Sequence, residues 1–384
     1  MRLLVITADF PPTVGGMQAY SWELASVWAQ WASALVVVAP VQAGSAETDA
    51  QAPFEVRRVR HAGDNFVFSA GLPIRRAIAD VRPDAIFGTS WACASVGLRA
   101  QRLHSVKRPV FTAAHGRELI LRPFERFRAL PLQRLYDKLR RDALHRSRAL
   151  FPVSRYTATL LNDLGLHDDQ IEVVPNGVDP KQYYPAYASG LRERLGLTGK
   201  KVLLTVGRLV ERKGIDTVLE ALPALVREVP ELAYVIVGEG PDRARIESLA
   251  AAAGVSSHVH YVGRAPAGEM LDYYNLCDVF VMPARTDGRD VEGFGIVFLE
   301  ASACGKPVVG ARAGGVIDAV IEDETGMLVP PSDPAALGTV LSALLRDPAR
   351  AAAMGARGRQ HVLEQGTWER AARRLYDAMQ SRTA

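Results

Sequence analysis

Short strand-like runs, four to nine residues long and mostly rich in Val, Leu and Ile, with the mixed Glu55-Val56-Arg57-Arg58-Val59 among them, recur along the chain. Each leads into a glycine- or proline-bearing loop and then into a stretch with helical spacing. In the first half they fall at 2–8, 34–39, 55–59, 84–88, 109–113, 149–153 and 171–179. In the second they fall at 201–206, 232–237, 258–262, 279–282, 307–310 and 326–329. Uninterrupted apolar strands, as opposed to alternating ones, belong to parallel sheets buried on both faces. Helices are predicted from Met17 to about Trp31, from Ser154 as N-cap, over Ile296 to Cys304, and in the Ala/Arg-rich tail after Pro331. The last helix runs from Thr367 to about Met379, with Trp368, Leu375 and Tyr376 as its apolar side. Strand alternating with helix throughout gives the fold class α/β.

At 384 residues the chain exceeds what one hydrophobic core usually serves. Residues 180–200, with Pro185, Gly190, Gly196 and Gly199, read as a linker. This predicts an N-terminal Rossmann-like domain over 1–185, a C-terminal one over 199–365, and a final helix over 366–384. Three cysteines with no CxxC pair and no zinc spacing read as reduced core residues of a cytoplasmic protein. No signal peptide pattern and no apolar run near the roughly 20 residues of a membrane span is visible. The charge is uneven. Residues 1–190 carry 23 Lys+Arg against 17 Asp+Glu, and 117–148 alone carry ten against four, interleaved with Leu, Phe and Tyr. Such a basic amphipathic stretch fits an anionic membrane surface at the inner face of the plasma membrane, or a solvated helix face. No nucleic-acid module accompanies it, so nucleic acid is not an expected partner.

Chemistry concentrates at strand ends. Asp290 to Gly305 contains E-G-F-G-I-V-F-L-E, in which Glu292 and Glu300 stand eight residues apart around Gly293, Phe294 and Gly295. A glycine loop feeding a helix at Ile296 and Val297 offers close backbone approach and first-turn amides for phosphate. Glu300, in the second helical turn, can accept hydrogen bonds from a vicinal diol such as a ribose. In G-R-L-V-E-R-K-G, residues 207–214, Arg208 and Lys213 lie between two glycines just before a helix, placed to neutralise a leaving pyrophosphate. Gly15 and Gly16 follow the first strand and are either a tight turn or a phosphate cradle. They form neither G-x-G-x-x-G nor a P-loop. His115, in H-G-R-E just past a strand end, is either a satisfied loop histidine or a ligand contact.

These residues together resemble the retaining GT-B glycosyltransferases of family 4, whose E-x7-E motif matches Glu292 and Glu300 and whose G-R-L-x-x-x-K-G matches 207–214. The resemblance covers essentially the whole chain and is strongest over 201–320. It implies the GT-B fold, two Rossmann-like domains with parallel sheets facing across a cleft, the last helix crossing back to the first domain. It implies a nucleotide diphosphate sugar donor held by Gly15, Gly16, Arg208, Lys213, Val262, Gly263, Arg264, Glu292, Gly293, Phe294, Gly295, Ile296, Val297 and Glu300. His115, Arg208, Lys213 and Glu292 are the expected catalytic set, with His115 on the sugar's 6-hydroxyl, Glu292 on ring hydroxyls and Glu300 on the ribose. No cofactor and no metal is expected, the cations standing in for one. The likeness is greatest to GDP-mannose-dependent phosphatidylinositol mannosyltransferases, which implies α-mannosyl transfer to a lipid-linked or saccharide acceptor. UDP-glucose, UDP-galactose or UDP-N-acetylglucosamine as donor, and a GT-B sugar-nucleotide epimerase or hydrolase, are the competing expectations. A scaffold protein would have no need of Arg208, Lys213, Glu292 and Glu300.

Overall fold

The computed structural model describes residues 1–60, 69–103, 107–121, 130–187, 190–266, 268–288 and 290–383. The chain divides into two compact units, Met1–Asn176 with Trp368–Ala384, and Gly177–Thr367.

The first unit is built on six parallel strands: β1 (Arg2–Ile6), β2 (Ala34–Pro40), β3 (Glu55–Val59), β4 (Ala85–Gly88), β5 (Val110–Ala114) and β6 (Ala149–Pro152). Their order is β3-β2-β1-β4-β5-β6, so the direction of winding reverses between β1 and β4. Leu4, Ile6, Val36, Val38, Ile86 and Leu150 form the core of this sheet with the helices laid over it. The helix Gly16–Trp28 starts immediately after the β1 loop. The helix Arg155–Asp163 is capped by Ser154, whose side chain accepts the Thr157 amide. The predicted strand at 171–179 is not one. Ile171 makes an isolated bridge to Leu150, and the Glu172 and Val174 amides reach the β6 carbonyls. Pro175 then has no amide to donate, which ends the pairing.

The final helix, Trp368–Thr383, belongs to this first unit and lies on Gly16–Trp28. Its apolar face buries Ala372, Leu375 and Met379. Trp28 Nε1 donates to the Ala372 carbonyl at 2.9 Å and the Tyr376 hydroxyl to the Trp31 carbonyl at 3.2 Å. Arg382 pairs with Glu172 at 2.9 Å.

The second unit repeats the plan with β7 (Lys201–Val206), β8 (Leu232–Val237), β9 (Val259–Gly263), β10 (Val279–Met282), β11 (Val308–Ala311) and β12 (Gly326–Val329). The order β12-β11-β10-β7-β8-β9 is the first sheet's order seen from the other edge, with its reversal between β7 and β10. Leu203, Tyr234, Val281 and Val309 meet Val218, Leu222, Leu337 and Leu341 of the covering helices in one core. The first unit ends ahead of the predicted boundary at 185, because Gly177 onward packs on the second. The Tyr184 carbonyl accepts from Asn275, and Tyr183 lies edge-on to Tyr274 at 5.6 Å.

A candidate nucleotide-sugar site at the second switch point

In a doubly wound sheet the loops leaving the carboxyl ends of the strands on either side of the reversal open a crevice for a ligand. In the second unit these loops follow β7 and β10, and both predicted motifs lie on them. After β7 the chain passes through Gly207 and a single turn, Glu211–Lys213, before the helix Ile215–Glu228. Gly214 is required here. Its φ is +70°, and a Cβ would lie 2.1 Å from the Pro283 carbonyl oxygen at the end of β10. That close approach brings the two loops together.

The result is a buried charge cluster. Lys213 Nζ donates to Glu292 Oε2 at 2.6 Å, and Arg212 Nη1 donates to the same oxygen at 2.5 Å. Arg212 Nε also stands 3.1 Å from Asp290. The Lys213 residue is only 7% exposed. Burial by itself lifts the Glu292 carboxyl, but the charges of Lys213 and Arg212 overcome it and hold its pKa at about 2. Burial draws the Lys213 ammonium below its ordinary value, with Glu292 opposing. Beneath the cluster a second network fixes the backbone: Arg285, after β10, binds both oxygens of Asp216 at 2.6 and 2.7 Å, and Arg245 joins Asp216 at 2.9 Å. The Arg285 amide donates to the Arg212 carbonyl at 2.8 Å.

Past Glu292 the chain turns at Gly295 (φ +92°) into the helix Ile296–Ala303. The half-buried Ile296 and Val297 begin it, and its positive end points where an anion is favoured. Gly315 donates its amide to the Glu292 carbonyl at 2.8 Å, so the short helix Val316–Ala319 braces the loop from behind. Glu300 lies one turn into Ile296–Ala303. Burial raises its carboxyl to about 7, against the pull of a hydrogen bond from Tyr274 and the charge of Lys213.

The first unit has its own polar set at the β1/β4 reversal. Gly15 is extended and Gly16 opens the helix that follows. His115, after β5, bonds the Thr89 carbonyl through Nε2 at 2.9 Å. A carbonyl only accepts, so Nε2 carries a proton, and the neutral form of the ring has Nδ1 as an acceptor. The His115 amide donates to Glu118 Oε1 at 2.6 Å, and the ring lies edge-on to Tyr20 at 4.7 Å. Asp9 accepts from Gln18 at 3.1 Å. Burial raises its pKa, partly offset by His115.

The structure therefore brings Lys213, Glu292, Gly293, Gly295, Ile296, Val297 and Glu300 onto adjoining loops of one unit. Arg208 is exposed and, unlike Arg212 and Lys213, makes no ion pair with Glu292. Phe294 is 3% exposed, which leaves its backbone and not its ring for a ligand. Val262 and Gly263 end the edge strand β9, where the Gly263 carbonyl accepts the Gly238 amide at 2.7 Å, and the exposed Arg264 that follows reaches Glu239 at 3.5 Å. Gly15, Gly16 and His115 lie in the first unit. Sequence reading missed Arg212, Asp9 and Tyr274. Arg212 was visible only as one more cation beside Lys213, and no local pattern singles out Tyr274.

Two Rossmann-like units of this order, with glycine-framed cations and an E-x7-E helix at the second switch point, define a GT-B glycosyltransferase. The chain belongs to glycosyltransferase family 4: residues 14–182 match the family described as Glycosyltransferase Family 4 and residues 190–361 that described as Glycosyl transferases group 1. It is 36% identical to a GDP-mannose-dependent alpha-(1-6)-phosphatidylinositol monomannoside mannosyltransferase of Mycolicibacterium smegmatis, over 99% of this chain and 98% of that protein. It is 34% identical to a GDP-mannose-dependent monoacylated alpha-(1-6)-phosphatidylinositol monomannoside mannosyltransferase of Corynebacterium glutamicum, over 99% and 98%. Among solved structures, the Anabaena protein HepE in complex with UDP superposes with a TM-score of 0.82 at 19% identity, over 99% of this chain and 100% of that one. Sucrose-phosphate synthase from Thermosynechococcus elongatus does so at 0.80 and 21%, over 99% of each.

Proposed function

We propose that this protein is a retaining, metal-independent α-mannosyltransferase that takes mannose from GDP-mannose to a mannosylated phosphatidylinositol. The observation that carries the reading is the buried Lys213–Glu292–Arg212 cluster beside the Ile296 helix end, in a chain 34–36% identical over its length to enzymes of that name. Transfer breaks the bond from mannose C1 to the β-phosphate oxygen. Positive charge develops on C1 and negative charge on the departing GDP. Lys213, Arg208 and the Ile296 and Val297 amides are the groups that meet that negative charge, which gives stabilisation where a metal would otherwise be needed. The acceptor hydroxyl oxygen bonds to C1 on the face that the phosphate leaves, which retains the configuration, and its proton passes to the leaving phosphate oxygen. Glu292, held ionised by two cations, is suited to accept from ring hydroxyls and not to attack. In the first unit, Gly16 is the proposed phosphate contact and His115 Nδ1 the proposed acceptor for a sugar hydroxyl.

A membrane-borne acceptor fits the helix Leu130–Arg146. Leu130, Leu132 and Leu135 are 58, 51 and 50% exposed there, beside exposed Arg134, Lys138 and Arg141. Apolar side chains among cations suit the surface of an anionic bilayer. Part of the 117–148 stretch, residues 122–129, lies outside the described residues. Among the described residues no helix is long and apolar enough to cross a membrane.

The test is product analysis with GDP-mannose and a phosphatidylinositol mannoside, with and without EDTA. The expected product carries an α-linked mannose by its anomeric coupling, at an EDTA-insensitive rate. A β-linked product, or a rate abolished by EDTA and restored by divalent metal, contradicts the proposal.

A further inference from the structure

The E-x7-E motif contains no group that decides which way Glu300 points. That group comes from the helix Met270–Leu276, whose Tyr274 is 0% exposed and donates its hydroxyl to Glu300 Oε2. The Tyr274 ring is gripped edge-on by Tyr183 at 5.6 Å and tilted against Phe280 at 6.0 Å. The next residue anchors the helix. Asn275 accepts the Ala186 amide at 2.8 Å and donates to the Tyr184 carbonyl at 3.0 Å, and its own carbonyl takes Lys306 Nζ at 2.7 Å. Among the described residues Tyr274 is the one side chain donating to Glu300. A carboxylate has about four lone-pair sites. A fixed phenol on one of them sets the plane of the group and leaves Oε1 and the rest of Oε2 for a ligand.

We infer that Tyr274 is a positioning residue for the nucleotide's ribose: its hydroxyl orients Glu300 so that the carboxylate receives the 2′- and 3′-hydroxyls together. This rests on the nucleotide-sugar reading proposed above. It separates Tyr274 from a merely packed aromatic, because a packed ring would leave the preference for ribose over a sugar lacking the diol untouched. It also carries a pH signature. Facing Glu300 are Tyr274 from its helix, Lys213 from the β7 loop, and Cys304 at the end of Glu300's own helix; burial pushes the Cys304 thiol up to about 12, so it stays neutral. The diol needs the carboxylate, and Glu300 in the free protein titrates at about 7. GDP affinity should therefore weaken as pH falls below that value. Removing the Tyr274 hydroxyl takes away a donor that favours the ionised form, so the break moves to higher pH.

The experiment is calorimetric titration of the full chain with GDP and with 2′,3′-dideoxy-GDP, from about pH 5.5 to 8.5, for wild type, Tyr274→Phe and Glu300→Gln. Binding of the dideoxy nucleotide, equal in all three, reports that each variant retains a folded site. The expected result is a preference for GDP in wild type, reduced about five- to tenfold in Tyr274→Phe. Its pH break should rise above that of wild type and disappear in Glu300→Gln. Wild-type preference and an unmoved break in Tyr274→Phe overturn the inference alone. Failure of wild type to bind GDP at any pH overturns the nucleotide-sugar reading and the inference with it.

Discussion

Replacing Glu292 by Gln takes away the carboxylate on whose one oxygen two cations converge, and leaves Asp290, 3.1 Å from Arg212, as the remaining anion. Its side chain is 13% exposed and that of Lys213 9%, so little solvent screening intervenes. The ion pairing moves the Glu292 pKa from 4.5 to about 2. At 1.36 kcal/mol per unit that is about 3 kcal/mol of stability at neutral pH, the size expected when one partner of a buried pair is lost. The sign follows from a depressed carboxylate. The contribution is complete above pH 4.5, declines as pH falls, and is lost through about 2. All five tryptophans, Trp22, Trp28, Trp31, Trp91 and Trp368, belong to the first unit, so their fluorescence does not report on this site. Hydrogen exchange of β7 and β10 amides does. Glu292→Gln should lower the opening free energy there by about 3 kcal/mol at pH 7, with the difference shrunk by more than half near pH 3. A difference under about 1 kcal/mol at pH 7, or one that stays constant with pH, would refute the reasoning.

Three further outcomes follow from separate parts of the molecule. Gly214→Ala puts a Cβ 2.1 Å from the Pro283 carbonyl oxygen at φ +70°, and should cost more than about 2 kcal/mol and loosen the site, read by urea unfolding with far-UV circular dichroism and by weakened nucleotide binding. Leu375→Ala, in the terminal helix at 1% exposure, should cost the first unit about 2–5 kcal/mol, and here tryptophan fluorescence is the right probe. Leu132→Glu with Leu135→Glu should cut sedimentation with vesicles of anionic phospholipid by at least about tenfold while leaving turnover of a water-soluble acceptor unchanged; equal sedimentation would remove this helix from the membrane surface.

The two parallel sheets were legible because most of their strands are buried on both faces and so read as apolar runs such as Val202 to Leu204 and Ala233 to Val237. The loops bearing Lys213 and Glu292 were legible because glycines that must take positive φ or admit a neighbouring backbone frame them, as Gly214 and Gly295 do. The rest depended on contacts that no local pattern encodes. Residues 171–179 look like a strand until Pro175 is set against the β6 edge. The linker reads as separate from either domain, yet Tyr183 and Tyr184 fasten it to Tyr274 and Asn275, some 90 residues away in sequence. Arg212 and Lys213 look interchangeable on paper. Only the fold shows that they share one carboxylate oxygen, while Arg208 stays in solvent.

The proposed activity requires the second switch point to hold a GDP-sugar through buried positive charge. Titration of GDP-mannose and UDP-glucose into wild type and Lys213→Ala, in the presence of EDTA, addresses it most directly. Wild type should bind GDP-mannose in preference to UDP-glucose, and Lys213→Ala should weaken that binding by about 100-fold, as loss of a charged hydrogen-bonding partner of a phosphate does. Binding of GDP-mannose that is unaltered in Lys213→Ala, or that appears only when metal is restored, would contradict it.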